Sequence, residues 1–223
     1  MEVLITMFEV KTNVIENNLF YKNSLIVKYR IEYPHIVSKV FNYNINKFNN
    51  FNQLKAMELK LYAEKDLYED AKKVYDYNMS NNIPFFPYEL VYTYNVTYNK
   101  KPIISLYSDQ YIYSGGAHGS TIRTSQTWNL NTGMQITLSS LFNNNCSYVI
   151  LILKEILHQI ETQIENGTGF YFEDYAKLVV ENFNFDQFYL DNNNIAIYYQ
   201  QYDIAPYSSG IPVFLIYMEN LFN

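Results

Sequence analysis

The centre of the chain carries the stretch Tyr111-Ile112-Tyr113-Ser114-Gly115-Gly116-Ala117-His118-Gly119, which lies between two strand-like segments. It holds three of the seven glycines of the chain and one of its three histidines. Glycine lets the backbone adopt positive φ and approach a neighbouring group closely. We therefore expect a glycine-shaped turn here that presents His118, with most of the remaining sequence as its scaffold.

The sequence before this stretch predicts a long hairpin followed by a long helix. Residues 2–16 and 19–33 have strand-like patterns, and Asn17-Asn18 between them favours a turn. Pro34 is expected to end the second strand. Residues 51–79 have helical periodicity, and the face expected to cover a sheet consists of Leu54, Met57, Leu61, Leu67, Ala71, Val74 and Tyr75.

Further strands and two helices are predicted around and after the glycine stretch. Neighbouring strands there are expected to form an antiparallel meander. We predict an α+β fold with a mainly antiparallel sheet, a long helix after the N-terminal hairpin and further helices packed on the sheet. No β-α-β rhythm, P-loop or GxGxxG motif is visible. The predicted elements are strands at 88–98, 103–113, 120–130 and 134–137, helices at 147–165 and 173–182, a hairpin at 185–201, a strand at 213–217 and a turn at 218–222.

Composition and charge narrow the class of function. The chain has 223 residues, of which 48% are hydrophobic and 17% are charged, so it is too apolar for a disordered protein. Its formal net charge is −6, and no block of Lys or Arg forms a stripe. Nucleic-acid binding is therefore disfavoured, because phosphate contacts dominate such affinity. An acidic protein is instead suited to a basic partner.

The single cysteine, Cys146, rules out an intrachain disulfide, and we interpret it as a buried structural thiol. No apolar run approaches the roughly 18 residues of a membrane span. The N-terminus lacks the basic region of a signal peptide, so an exported form would have its leader or anchor outside this sequence. We predict no cofactor and no metal site.

His118, Asp109 and Arg123 are weak catalytic candidates. Facing strands could bring Asp109 and Arg123 near His118, although a cross-strand ion pair explains them equally well. A catalytic or metal-binding histidine needs companions, and neither of the other histidines has the spacing of a ligand pair with it. A structural histidine in a glycine-rich turn is therefore favoured over a catalytic one.

Residues 200–212 form the second candidate, which we name the Tyr-Pro loop. It contains two prolines and two tyrosines, so its backbone is partly preorganised and its side chains suit an interface. Such a loop could insert into the cleft of a partner, or it could simply close the sheet. The sequence leaves these two readings about equal.

Two groups of residues resemble the extracytoplasmic domain of RsiV-type anti-sigma factors and PdaC-type peptidoglycan deacetylases. The clear match covers about residues 105–217. The family signatures are Y-x-GGAHG … F-DL-x-TG … L-x-DLF and FYL … YFQQYEIAPYAAGIP. The matching residues are Tyr113-Ser114-Gly115-Gly116-Ala117-His118-Gly119, Thr127-Trp128-Asn129-Leu130-Asn131-Thr132-Gly133, Leu138-Ser139-Ser140-Leu141-Phe142, Phe188-Tyr189-Leu190 and Ile197-Tyr198-Tyr199-Gln200-Gln201-Tyr202-Asp203-Ile204-Ala205-Pro206-Tyr207-Ser208-Ser209-Gly210-Ile211-Pro212.

The resemblance implies an α+β domain outside the membrane, facing the cell wall. In the anti-sigma branch this domain senses lysozyme, a strongly basic protein, by binding it. In the deacetylase branch a separate polysaccharide-deacetylase domain carries the catalysis, and this chain has neither that domain nor its metal-ligand triad. We therefore expect residues 105–223 to form the GGAHG-containing RsiV-like domain, residues 1–104 to form a PdaC-like companion region, and the two to pack as one compact unit.

Two functional hypotheses follow from these expectations. The first is a non-enzymatic binding or sensing domain of the cell envelope that recognises a protein such as lysozyme, or a peptidoglycan component. The alternative is a cell-wall-associated enzyme with a His118-centred cleft. The residues expected to bind the partner are Tyr113, Gly115, Gly116, His118, Gly119, Tyr202, Pro206, Tyr207 and Ser208.

Overall fold

The computed structural model describes residues 6–142 and 147–217. Within these residues nine strands form two sheets, and helices accompany both, which confirms the α+β class. Cys146 and the turn predicted at 218–222 lie outside the described residues. The elements are β1 (Val10–Tyr21), β2 (Ser24–Ile36), α1 (Tyr43–Tyr62), α2 (Tyr68–Ser80), β3 (Tyr88–Lys100), β4 (Ile103–Tyr113), β5 (Ser120–Asn129), β6 (Met134–Gln135), α3 (Tyr148–Glu165), α4 (Tyr175–Glu181), β7 (Phe188–Asp191), β8 (Asn194–Tyr198) and β9 (Val213–Tyr217).

The chain divides into two compact units, each built from separate segments of sequence. The N-terminal unit consists of residues 8–94 and 108–121. The C-terminal unit takes its described residues from Met1–Met7, Asn95–Tyr107 and Ile122–Asn223. Strands β3, β4 and β5 contribute residues to both units. The division at residue 104 that the sequence suggested stays a prediction.

The N-terminal hairpin is confirmed, but its turn lies five residues later than predicted. Lys22 and Asn23 form the turn, with φ values of 48° and 63°, and two successive positive φ values match the twist of a tight hairpin. Asn17 and Asn18 instead lie inside β1. Pro34 does not end β2, because it pairs with Thr12 of β1. The missing N–H is tolerated there since β2 pairs with β3 only over residues 27–31.

The long helix begins at Tyr43, earlier than the periodicity indicated. Asn42 caps it, because its side-chain oxygen accepts hydrogen bonds from the N–H groups of Asn44 and Ile45, each at 3.0 Å. A π-helical turn at Ala63–Leu67 joins α1 to α2. The helix ends at Ser80, one residue after the end that its periodicity predicts.

The buried face of α1 is not the one that the sequence predicted. Leu54, Met57 and Leu61 were assigned to the sheet, but all three are exposed. The prediction failed because α1 carries apolar residues on two faces. The inner face also includes small and amide side chains, which a search for hydrophobic periodicity does not detect. The buried residues of α1 are Ile45, Phe48, Asn49, Asn52, Ala56 and Leu59.

The buried amide of Asn49 ties α1 to the end of β2. Its Oδ1 accepts a hydrogen bond from the Ile36 N–H at 2.8 Å, and its Nδ2 donates to the Ile36 carbonyl at 3.0 Å. A carboxamide has the same donor and acceptor spacing as a peptide group, so Asn49 extends the backbone pairing beyond the strand. This double contact satisfies both polar groups of a buried strand end.

One β-α-β connection corrects the expectation that none exists. Strand β2 pairs with β3 in parallel, from Val27 with Tyr88 to Ile31 with Tyr92, and α1 and α2 form the connection between them. A parallel pair needs a long crossover, which the helices provide. The six strands follow the order β1-β2-β3-β4-β5-β6, and the sheet remains mainly antiparallel, as predicted.

The C-terminal unit packs α3 and α4 on the sheet β7-β8-β9. Helix α3 buries Ile152, Ile156 and Ile160, which follow one another at the four-residue spacing of a helix face. They join Phe214 and Ile216 of β9 in one core. Over the described ranges, no helix has the length and apolarity that a membrane crossing requires.

Hydroxyl groups cover the outer edge of β7. The Leu190 N–H donates to Ser105 Oγ at 2.9 Å, and Thr97 Oγ1 donates to the Leu190 carbonyl at 2.6 Å. Ser125 Oγ donates to the Phe188 carbonyl. These hydroxyls come from β3, β4 and β5, so the free edge of β7 lies against the face of those strands within the C-terminal unit.

Candidate functional site

The glycine loop, residues 114–119, connects β4 to β5 in the N-terminal unit. Gly115 and Gly116 have φ values of 100° and 86°, a region that favours glycine. Tyr113 donates a hydrogen bond from its hydroxyl to the Gly116 carbonyl at 3.1 Å, which closes the turn. Residues 114–118 are exposed, so the loop presents mainly backbone to solvent.

Gly119 anchors the loop by close packing rather than by its φ angle. A Cβ at this position would lie 2.5 Å from the Ile112 carbonyl oxygen and 2.5 Å from the Tyr111 ring. Such distances are well inside van der Waals contact, and one of the atoms belongs to the backbone, so no side chain fits. Gly119 is buried. In the GGAHG motif, Gly115 and Gly116 allow the positive φ angles of the turn, and Gly119 allows the backbone to approach Tyr111 and Ile112 closely.

The three weak catalytic candidates differ in their surroundings. His118 is exposed, and its Nδ1 lies 2.9 Å from the Gly119 carbonyl oxygen. Asp109 is half-buried in β4 of the same unit, whereas Arg123 belongs to the C-terminal unit. A catalytic arrangement of these three side chains stays a prediction.

Arg123 lies on an aromatic cluster in the C-terminal unit. Its guanidinium carbon is 3.8 Å from the Tyr107 ring centroid and 5.9 Å from that of Tyr198. The Tyr107 and Tyr189 centroids lie 5.1 Å apart. A cation over a ring face is favourable, especially where the pair is partly desolvated. This packing gives Arg123 a structural role on the surface of the unit.

The side chain of Gln200, the first residue of the Tyr-Pro loop, forms two hydrogen bonds with the backbone of β5. The Arg123 N–H donates to Gln200 Oε1 at 2.9 Å, and Gln200 Nε2 donates to the Arg123 carbonyl at 2.7 Å. The side chain therefore pairs with the strand as a peptide group would. No local pattern predicts this role, because the two residues are 77 positions apart.

Asp203 stabilises the start of the Tyr-Pro loop through hydrogen bonds within the loop and to Asn182. Asp203 Oδ2 accepts a hydrogen bond from the Gln200 N–H at 2.7 Å, and Asn182 Nδ2 donates to the Asp203 carbonyl at 2.8 Å. Burial raises the pKa of the Asp203 carboxyl above its ordinary value, and the hydrogen bond from Gln200 only partly opposes this. Burial likewise raises the pKa of the nearby Tyr199 hydroxyl, which donates to the Val179 carbonyl.

The middle of the loop alternates between buried anchors and exposed side chains. Ile204 and Ala205 are fully buried, and the Ile204 carbonyl accepts a hydrogen bond from the Phe172 N–H at 3.1 Å. Tyr202 is 55% exposed, with φ of 69°, and its ring centroid lies 5.9 Å from that of Tyr207. The loop thus presents an aromatic pair on a backbone that is held from both sides.

A cavity of about 420 Å³ opens beside the second half of the loop. Pro206 and Tyr207 are half-buried, and Ser208 is exposed at its rim. Ser209 donates a hydrogen bond to the Phe170 carbonyl at 2.9 Å, and the Phe170 side chain is 74% exposed. Phe170 was not predicted as a site residue, although Gly167 and Gly169 shortly before it could have indicated an exposed turn there. The lining residues are Gln163, Thr168, Gly169, Phe170, Tyr171, Ser208, Ser209, Ile211, Pro212 and Val213.

Metal-ligating side chains do not cluster in residues 6–142 and 147–217. No group of three or more His, Cys, Asp and Glu side chains in these ranges could hold a metal ion. The geometry in the described residues is therefore that of a preorganised surface with an aromatic pair, a cavity and a separate glycine turn.

Two family models match consecutive parts of the chain. The model described as Deacetylase PdaC matches residues 21–121, which include the glycine loop. The model described as Protein of unknown function (DUF3298) matches residues 139–219, which include the Tyr-Pro loop.

A curated relative and two solved structures agree with these matches. Peptidoglycan-N-acetylmuramic acid deacetylase PdaC of Bacillus subtilis is 22% identical over 176 residues, which cover 75% of this chain and 35% of the deacetylase. The chain thus corresponds to about a third of that protein. A DUF3298 family member from Bacteroides fragilis has a TM-score of 0.73 at 17% identity, covering 98% of this chain and 94% of that one. A DUF3298 protein from Pseudomonas aeruginosa has a TM-score of 0.62 at 14% identity, covering 99% and 95%.

The two structural matches show the fold alone, since their sequence identities are low. Together with the family models and the PdaC relative, they identify a shared PdaC/DUF3298-type domain in this chain, as its motifs predicted.

Proposed function

We propose that this chain is a non-enzymatic binding domain of the cell envelope, and that it recognises a basic protein of the lysozyme kind. The observation that carries the proposal is the construction of the Tyr-Pro loop. Its backbone is held by Gln200, Ile204 and Ala205, while Tyr202 and Ser208 stay exposed. A loop that is ordered before binding loses little conformational entropy in a complex.

The chemistry of the loop and the charge of the chain favour a basic protein partner. Tyrosine is an interface anchor because it offers a large apolar surface with a polar tip. The formal net charge of −6 would steer a cationic partner towards the chain. Location in the envelope is supported by the PdaC relative, whose name gives peptidoglycan as its substrate.

Binding to lysozyme, measured by biolayer interferometry at low and high salt, tests this function. Tyr207→Ala and Tyr202→Ala are each expected to weaken binding by about 30-fold, which corresponds to about 2 kcal/mol for an aromatic hot spot. Tyr77→Ala is the matched control, because Tyr77 is also a largely exposed tyrosine but lies on α2. Added salt is expected to slow association.

Two results would contradict this reading. Absence of lysozyme binding at low salt would contradict the proposal that the partner is a lysozyme-like protein. Equal losses of lysozyme affinity in the Tyr77 and Tyr207 variants would show that the Tyr-Pro loop is not the binding surface. Binding of soluble muropeptides without lysozyme binding would instead favour a peptidoglycan component as the ligand, with the cavity beside Phe170 as its site.

A second candidate function, a cell-wall-associated enzyme, rests on the exposure of His118. A fully buried histidine would exclude acid–base work, and His118 is instead exposed on the glycine loop. Muropeptide turnover followed by mass spectrometry, with His118→Ala as the comparison, tests this candidate. Turnover that disappears in the variant would support it, and absence of turnover in the wild type would remove it.

A further inference from the structure

The outward face of α1 carries a stripe of side chains, which we name the outer stripe. Its members follow one another at spacings of four, three, four, three and four residues. All six are exposed, and the four apolar members are 43–71% exposed. The stripe consists of Tyr43, Lys47, Asn50, Leu54, Met57 and Leu61.

This spacing is the repeat of a coiled-coil seam. Alternating steps of three and four residues keep one narrow line of side chains facing a partner helix. The stripe runs for about 27 Å, since a helix rises about 1.5 Å per residue. Single exposed apolar residues are ordinary on a protein surface, but Leu54, Met57 and Leu61 are successive members of the stripe and form one exposed apolar row, which is typical of an interface.

We propose that the outer stripe binds a second copy of this chain as an antiparallel helix pair. Lys47 decides the orientation. A parallel pair would place Lys47 beside Lys47 of the second copy, which is unfavourable. An antiparallel pair centred on Asn52 aligns the full length of both stripes. Its facing positions are Tyr43 with Leu61, Lys47 with Met57, and Asn50 with Leu54.

Charge complementarity supports the antiparallel arrangement. Glu58 follows Met57, is exposed, and lies on the same flank of α1 as Lys47. In the antiparallel pair Lys47 therefore reaches Glu58 of the second copy, and the twofold symmetry repeats this contact. Asn50 faces Leu54 of the second copy in this pair and has no amide partner across the seam, which costs stability, so the dimer is expected to be reversible.

Sedimentation velocity of the full chain over a wide range of concentrations tests the proposal. The wild type is expected to form a dimer as its concentration rises. Leu54→Glu is expected to raise the dissociation constant by more than about tenfold, because it would bury an unpaired charge in the seam. Met134→Glu is the matched control, since Leu54 and Met134 are both 64% exposed. Circular dichroism is expected to show unchanged folding in both variants.

A charge exchange tests the orientation separately from the apolar seam. Lys47→Glu would place two carboxylates together and weaken the dimer, and Glu58→Lys would do the same with two ammonium groups. The double variant is expected to restore the wild-type dissociation constant. Failure of this rescue would overturn the antiparallel arrangement.

Other outcomes would overturn the dimer itself. A chain that stays monomeric at every concentration would do so, as would a dimer that Leu54→Glu leaves unchanged. A monomer that sediments with phosphatidylglycerol vesicles, and loses this property in Leu54→Glu, would assign the outer stripe to a membrane surface instead. None of these results depends on the ligand of the Tyr-Pro loop.

Discussion

In each unit a carboxamide side chain pairs with a strand backbone through two hydrogen bonds. In the N-terminal unit Asn49 holds Ile36, with distances of 2.8 and 3.0 Å. In the C-terminal unit Gln200 holds Arg123, with distances of 2.9 and 2.7 Å. The two contacts are chemically alike, but Asn49 is buried on a helix and Gln200 is half-buried at the start of a loop.

The difference shows how one local interaction can serve two purposes. Asn49 replaces a missing strand in the interior, so its hydrogen bonds contribute mainly to stability. Gln200 determines where the Tyr-Pro loop leaves the fold, so its hydrogen bonds contribute to the position of Tyr202 and Tyr207. The Gln200 contact also has an ionisable neighbour, Asp203, which accepts the Gln200 N–H.

Asn49→Leu is expected to have the largest effect on stability. The variant leaves the buried N–H and carbonyl of Ile36 without these partners, which we expect to cost about 2–4 kcal/mol of the free energy of unfolding. Urea unfolding measures the loss. Gln53→Leu, an exposed amide on the same helix, is the control and is expected to change stability by less than about 0.5 kcal/mol. Similar losses in both variants would contradict the role of the buried pairing.

Gln200→Leu is expected to cost less, about 1–3 kcal/mol, because its site is only partly buried. Gln200→Glu keeps the acceptor for the Arg123 N–H and loses the donor to the Arg123 carbonyl. It should therefore fall between the wild type and the leucine variant. Hydrogen exchange is expected to rise in residues 200–212 and not in the hairpin. Unchanged exchange in the loop would show that Gln200 does not position it.

The two contacts should also differ in their response to pH. The folded pKa of Asp203 is raised above its ordinary value of 3.8, so folding favours the protonated carboxyl. The stability contribution of this group is fully present below pH 3.8 and is lost as pH rises through the raised pKa. Asp203→Asn cannot ionise and keeps an acceptor for the Gln200 N–H. The variant is expected to gain stability relative to wild type as pH rises from 4 towards 7, measured by urea unfolding at each pH. A difference that does not vary with pH would contradict the raised pKa.

Tyr202→Ala is expected to have the smallest effect on folding. Its side chain is 55% exposed although its backbone lies between the anchors Gln200 and Ile204, so thermal and urea unfolding should change by less than about 0.5 kcal/mol. This separation matters because the same variant is expected to weaken binding of the partner. A large loss of stability would mean that the aromatic pair holds the loop rather than presenting it.

The sequence predicted the order of elements well because most of them have clear periods and turn residues. The hairpin, β3 to β5 and the C-terminal strands occur close to where their patterns indicated, whereas the long helix begins earlier, at Tyr43. Asn17-Asn18 misled the turn assignment, since asparagine is common in turns but the pairing register of β1 continues to Tyr21. The parallel pairing of β2 with β3 has no local signal, because it depends on where the connecting helices return the chain.

The site was predictable only in part, for a related reason. The glycine loop and the Tyr-Pro loop could be recognised by their Gly and Pro residues, because these residues reflect the local backbone conformation. Gln200 and Asn49 did not, because their importance lies in partners that only the fold brings near them. Leu54, Met57 and Leu61 of the outer stripe were assigned to the inner face, since a period alone does not say which of two apolar faces meets the core.

The three hydroxyls along β7 have a consequence for how the protein behaves at high concentration. An open strand edge presents unpaired N–H and carbonyl groups that can recruit a strand from another molecule. The short C-terminal strands are rich in Ile, Phe and Tyr, which favour such recruitment. Thr97, Ser105 and Ser125 occupy the Leu190 N–H and carbonyl and the Phe188 carbonyl. They thereby cover this part of the edge without an additional strand, which disfavours strand recruitment there.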